Sequence, residues 1–170
     1  MEKYISVKSK DEYEAAAKLF NEYAKWLGFD LEFQHFEEEL KLLKKMYTAP
    51  EGGIILCKRG SGFISCAGIR KIDNDRAALK KRYVQSTYQY QGIGKALPER
   101  SIKLAKVCNY SYIRLNTLNN MLPAINLYKK YALIEIESYY HNPNPTAVFF
   151  EKQLSSLAFI VFLYQSPKTV

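Results

Sequence analysis

The chain is poor in the residues that most often hold metals or cross-links. It has two histidines, His35 and His141, and three cysteines, Cys57, Cys66 and Cys108, an odd number without metal-like spacing. Each cysteine lies in an apolar run, which argues against a disulfide framework and a zinc site and for buried reduced thiols. Long apolar stretches are also missing. The longest, Leu157 to Tyr164, has eight residues, far short of the ~20 that a helix needs to cross a bilayer. The opening "MEKYISVKSKDEYEAA" carries charges throughout and lacks the apolar segment of a secretory leader, so the expectation is a cytoplasmic protein with no membrane anchor. Internal repeats and low-complexity segments are absent too, which leaves no sign of a solenoid or a long linker.

What is present suits one globular unit. The 170 residues are 48% hydrophobic, enough for a single substantial core. Residues 1–154 are expected to form one domain and 155–170 a tail, its apolar run adding a strand to the sheet or meeting a second copy in a homodimer. The net charge of +8 and pI near 9.3 point to an anionic partner. The densest basic runs are only "KLLKK" and "LKKR", and they do not interleave with aromatics as RNA-binding motifs do, so no nucleic acid is expected.

Periodicity sets the element order. A short strand, "YISVKS", leads to Ser9 and Glu12, which form a capping box before Tyr13, Ala16, Ala17, Phe20, Ala24 and Leu27 recur at helical spacing, with Gly28 as the stop. A second helix is expected from about Gln34 to Tyr47, ended by "APEGG", with one side charged. "IILC", "FISCAGIRKI" and "AALKKRYVQ", separated by "KRGSG" and "DNDR", read as an antiparallel three-strand meander. Helical spacing returns from Ile93 to Cys108. "YIRLNTL", "MLPAINLYKKYAL", "IEIESYY" and "AVFFEKQL" then read as strand, helix, strand and strand. The fold class is therefore α/β (α+β), with a mixed, mostly antiparallel sheet flanked by about four helices.

Between the meander and its following helix stands "QYQGIGKAL". Gly92 and Gly94 leave the backbone free to turn sharply, and the amides at the helix start have no intrahelical acceptor, so the turn is shaped to hold an anion such as phosphate. A dinucleotide fingerprint would need a small residue where Leu97 stands, and a P-loop would need Ser or Thr where Ala96 stands. Both nucleotide motifs fail.

What remains resembles the acyl-CoA site of the GNAT acetyltransferase superfamily, in which a glutamine or arginine is followed three and five residues later by glycine and by glycine or alanine. Gln89, Gly92 and Gly94 match, and the element order over about residues 3 to 154 is similar to that family's. The resemblance implies direct transfer of an acetyl group from acetyl-CoA to an amine of a small molecule or peptide. It places the pyrophosphate on the backbone of Gln91, Gly92, Ile93, Gly94 and Lys95, with the Lys95 charge nearby. It implies that a main-chain N–H near Tyr83 or Val84 polarises the thioester carbonyl. Asn119 or Asn120 would touch the coenzyme arm or cap the following helix. Tyr128 would protonate the departing thiolate, although the same tyrosine continues an apolar stripe through Ala124 and Leu127.

The proton acceptor for the amine is less legible. The resemblance implies a glutamate where this chain has Ala78. Glu135 and Glu137 alternate with Ile134 and Ile136 and so share a strand face, where they could bind or deprotonate a cationic amine or simply face solvent; Glu135 is the candidate. His141 and His35 read as loop and surface residues. Two further departures are Pro98, which removes a helical bond to the Gly94 carbonyl at a cost of ~3 kcal/mol, and Ala132, which stands where the family has glycine. The expected acceptor lining is Trp26, Phe29, Phe33, Phe36, Tyr139 and Tyr140, with Glu32 and Glu37 to Glu39 near in sequence, or else these form core and a solvated helix face. The departures keep a second expectation open, a CoA-binding relative that senses or scaffolds without efficient catalysis.

Overall fold

Among the described residues seven strands form one sheet, in which the first five lie in chain order and the seventh is inserted between the fifth and the sixth. The computed structural model describes residues 1–28 and 35–155; Phe29, Glu32, Phe33 and the apolar run 157–164 lie outside the described residues. Strand β1 (Glu2–Ser6) is followed by helix α1 (Lys10–Leu27). Ser9 and Glu12 make the reciprocal capping box, and Gly28 ends the helix at φ 77°, a left-handed stop that glycine adopts without strain.

The second helix departs from expectation, because it is two pieces, α2 (Phe36–Lys41) and α3 (Leu43–Met46). Leu42 leaves helical geometry at φ −105° and ψ 16°, so α2 buries Phe36 and Glu39 while α3 buries Leu43.

The meander forms as read: β2 (Gly53–Arg59), β3 (Gly62–Lys71) and β4 (Arg76–Val84), paired antiparallel. A 3-10 turn (Ser86–Tyr88) and the glycine turn lead into α4 (Ile93–Val107), then β5 (Tyr112–Leu118) and α5 (Leu122–Lys130). Strand β6 is only Ile134–Ile136, shorter than "IEIESYY", and β7 (Ala147–Gln153) lies between it and β5. Tyr139 and Tyr140 thus sit in the β6–β7 loop, where they pack edge-on against each other and Phe149.

The strand alternation divides the core in two. Ile55, Ile69, Leu79, Leu115 and Phe150 pack under α4 and α5, while Ile54, Leu56, Cys66 and Tyr83 pack under α1, α2 and α3. Cys57 and Cys66 are fully buried, and Cys108 is half-buried; all three are free thiols. Burial raises the pKa of Cys66 above the usual thiol range.

Candidate active site

β4 and β5 are the one parallel pair among the described strands, and they pair only over Arg76–Ala78 and Tyr112–Arg114. Past that point each strand stays with its other neighbour, β4 with β3 as far as Val84 and β5 with β7 as far as Leu118. The two strands therefore separate. A bulge in β4 marks the divergence: two residues, Lys81 and Arg82, oppose Ala67 of β3, and Lys81 takes φ 53°. The resulting cleft has a volume of about 800 Å³, with β4 on one wall, β5 and α5 on the other, and the start of α4 at one end.

The glycine turn closes that end. Gly92 is the α4 N-cap at φ 86°, a conformation that most other residues hold only with strain. The Lys95 amide already donates to the Gly92 carbonyl at 3.1 Å, so the amides of Ile93 and Gly94 are the ones at the helix start without an intrahelical acceptor. Lys95 and Gly94 line the cleft. The Ile93 side chain instead enters a small core cluster with Cys57 and Ile64. Gln89 lines the cleft but spends its side-chain amide on the Val84 carbonyl, 2.9 Å away, bracing the loop against β4. Gln91 is exposed; its side chain bonds Arg59 and the Thr87 carbonyl.

Tyr128 projects from α5 into the cleft and is only 4% exposed. Its hydroxyl oxygen accepts a hydrogen bond from Arg82 Nε at 2.9 Å, and the guanidinium lies 5.2 Å from the ring centroid. A second Arg82 nitrogen donates to the Gly94 carbonyl at 3.2 Å. That carbonyl is the acceptor that Pro98 leaves without its helical N–H. The proline thus does not leave an unsatisfied group; α4 runs through it unbroken to Val107. Reading along the sequence missed Arg82, because a lone arginine at the end of "LKKR" carries no signal. The pairing of Pro98 with the orphaned carbonyl of residue 94 was the available clue.

Backbone direction separates Tyr83 from Val84. Gln85 N–H donates to Ile64 O of β3 at 2.9 Å. N–H groups alternate between the two edges of a strand, so Tyr83 points its amide to β3 and Val84 points its amide to the open edge. Asn120 lines the cleft. Asn119 is engaged through its backbone, N–H to Thr146 O at 2.8 Å, and Asn126 of α5 is a lining residue that sequence reading missed.

Glu135 is corrected by the fold. It lies on the edge strand β6, separated from β5 by β7, and is exposed and outside the cleft lining. The face expected opposite it is open as well, with Ile134 65% exposed. The acidic acceptor lining is corrected too. Glu39 is buried at 1%, its carboxylate 3.2 Å from Lys81 Nζ and receiving the Tyr47 hydroxyl at 2.5 Å. Phe36 packs in the core with the Lys81 ammonium 5.4 Å from its ring. Trp26, 45% exposed, does line the cleft with Tyr23 and Tyr83. Ala78 is buried between Arg70 and Arg114 on its neighbouring strands, with no carboxylate supplied at that position. His35 and His141 are exposed.

A sheet opened at its parallel pair, with a glycine helix start at one end and a buried tyrosine on the wall, defines an α/β domain with its cleft at the splay. Residues 16–132 match the model of the acetyltransferase (GNAT) family, and the chain belongs to that family. It is 28% identical over 195 residues to an uncharacterized N-acetyltransferase of Dictyostelium discoideum, a match that covers 79% of this chain and 90% of the relative. Its fold is similar to that of an acetyltransferase from Streptococcus agalactiae, with TM-score 0.72 at 18% identity, covering 90% of this chain and 98% of the other. A Salmonella typhimurium structure described with its cofactor acetyl-CoA is similar at TM-score 0.66 and 14% identity, covering 92% and 96%. No helix among the described residues is long and apolar enough to cross a membrane.

Proposed function

We propose that this GNAT-family protein transfers the acetyl group of acetyl-CoA to an amine. The observation that carries the reading is the splay between β4 and β5, which joins the helix-start amides, Val84 and Tyr128 along one cleft. The amides of Ile93 and Gly94 would hold the pyrophosphate, with the Lys95 ammonium adding charge. What supports a coenzyme with an anionic tail and an apolar arm is the mixed lining between them. What supports Val84 rather than Tyr83 as the donor to the thioester oxygen is the strand alternation. Asn120 is the better placed asparagine for the coenzyme arm.

Tyr128 would give its proton to the departing thiolate. Because its oxygen accepts from Arg82, the hydroxyl hydrogen is free to point into the cleft, and the guanidinium stabilises the charge left behind. The expected test is release of free CoA thiol over a panel of amines, with calorimetry for acetyl-CoA binding. Gly92→Val should lose coenzyme affinity. Tyr128→Phe should keep that affinity and lose turnover by roughly 100-fold, the scale of one general acid; equal turnover removes the role. The buried Ala78 favours one second reading, coenzyme binding without efficient transfer, and binding with no thiol release for any amine would select it.

A further inference from the structure

The bulge in β4 interrupts the alternation of side chains and puts two consecutive lysines on one face of the sheet. Leu79 and Arg82 face α4 and α5, whereas Lys80 and Lys81 both face α1 and α2. Their surroundings differ. Lys81 is closed over by Glu39, with both side chains 1% exposed. No carboxylate among the described residues forms an ion pair with Lys80. Its ammonium lies 5.8 Å from the Tyr140 ring and lines a small pocket of about 50 Å³ with Leu27 and Asn142. That pocket shares Tyr23, Leu79, Lys81, Asn116, Thr117 and Met121 with the main cleft, so the two lie side by side at the splay.

We propose that Lys80 is itself an acetyl acceptor, taking the acetyl group of bound acetyl-CoA when no other amine occupies the site. The inference rests on the acetyl-CoA reading above. Its place two residues past Ala78, where β4 and β5 part, sets its amine on the face opposite the glycine turn and α5. The groups around it leave it ready to react. Tyr23 comes from α1, Arg70 from β3 and Tyr140 from the β6–β7 loop, while Glu39 of α2 is taken by Lys81 and Arg114 of β5 by Glu151 of β7. Burial, then the neighbouring Lys81 charge, lowers the Lys80 amine to about 8, against the pull of Glu39. A lysine beside a second cation is a recognised way to make a neutral amine nucleophile. At pH 7.5 an amine of that kind has a roughly 200-fold larger neutral fraction than an ordinary lysine.

In the reaction the Nζ lone pair adds to the thioester carbonyl carbon, and the C–S bond breaks as the carbonyl re-forms. One N–H proton leaves the nitrogen and one proton reaches the thiolate, giving Nε-acetyl-lysine at position 80 and free CoA. The test is incubation of the whole protein with acetyl-CoA over pH 6.5 to 9.5, read by peptide mass spectrometry, with binding followed by calorimetry. Expected is modification of Lys80 at a rate that saturates with acetyl-CoA and levels off above about pH 8. It should exceed that of exposed Lys10 and Lys103 at least tenfold and be lost in Gly92→Val, while Lys81 stays unmodified. Labelling that rises linearly with acetyl-CoA, or equally in the Gly92→Val protein, overturns the proposal as bulk chemistry. Binding without acetylation of Lys80 overturns it and leaves the coenzyme reading standing; no binding overturns both.

Discussion

Ala132 shows how a single residue can carry a cost that the fold has absorbed. It sits at φ 61° just past α5, with its N–H bonded to Lys129 O and the next N–H, of Leu133, bonded to Tyr128 O, each at 3.0 Å. These are the two bonds of a Schellman stop, completed by burial of Tyr128 and Leu133. The left-handed position favours glycine by about 1 kcal/mol over a residue with Cβ. Ala132→Gly should therefore raise the melting temperature by about 2–4 °C without changing coenzyme affinity, as scanning calorimetry and titration would show. A fall in melting temperature would mean that the added freedom of the unfolded chain outweighs the relieved strain.

Among the elements, α4 is the one whose irregularity serves the site. Its first-turn carbonyls accept from outside the helix: Ile93 O from the Tyr4 hydroxyl, Gly94 O from Arg82 and Lys95 O from the Tyr131 hydroxyl. Pro98 makes the Gly94 carbonyl available, so a residue that weakens the helix also seats the arginine that orients Tyr128. Pro98→Ala returns a competing helical N–H. The expected outcome is a helix more stable by up to ~3 kcal/mol, less the packing lost with the buried ring, together with a several-fold fall in thiol release at constant acetyl-CoA affinity. Unchanged turnover would show that the Tyr128 contact alone holds Arg82.

For the whole molecule, the buried pair of Glu39 and Lys81 ties the early helices to the edge of the cleft. The carboxylate of α2 meets the bulge residue of β4 and the Tyr47 hydroxyl, with Arg70 of β3 at 4.0 Å. Burial lowers the pKa of Lys81 while Glu39 opposes it. Removing one partner strands the other charge, at a typical cost of 3–5 kcal/mol, while replacing both is far milder. Glu39→Ala should lower the melting temperature by roughly 6–20 °C, and the double change Glu39→Leu with Lys81→Met should recover most of it. Equal losses in both proteins would mean that the pair contributes shape and not charge balance. Either variant that refolds should report, through turnover, how much of the cleft depends on the bulge.

The elements were legible where one local rule governed them. The capping box at Ser9, the alternation of "YIRLNTL" and the turn glycines each act over a few residues, and each stands where the residue types predict. Glu39 was read as acceptor lining or a solvated helix face and Glu135 as a candidate site carboxylate, because spacing along one element says nothing about what packs against it. Pro98 read as a defect for the same reason: its compensating donor, Arg82, lies on a different strand.

By itself, then, the amino-acid order determined the element sequence, the glycine turn and its resemblance to a coenzyme site, since backbone sterics, capping and apolar periodicity are short-range. Only the tertiary structure decided which groups meet at the splay: the parting of β4 from β5, the pairing of Lys81 with Glu39, the place of Lys80 beside the cleft and the seat of Arg82. Those depend on strand order and on one bulge that shifts side chains between faces, and charges meeting across such a junction come from residues dozens of positions apart.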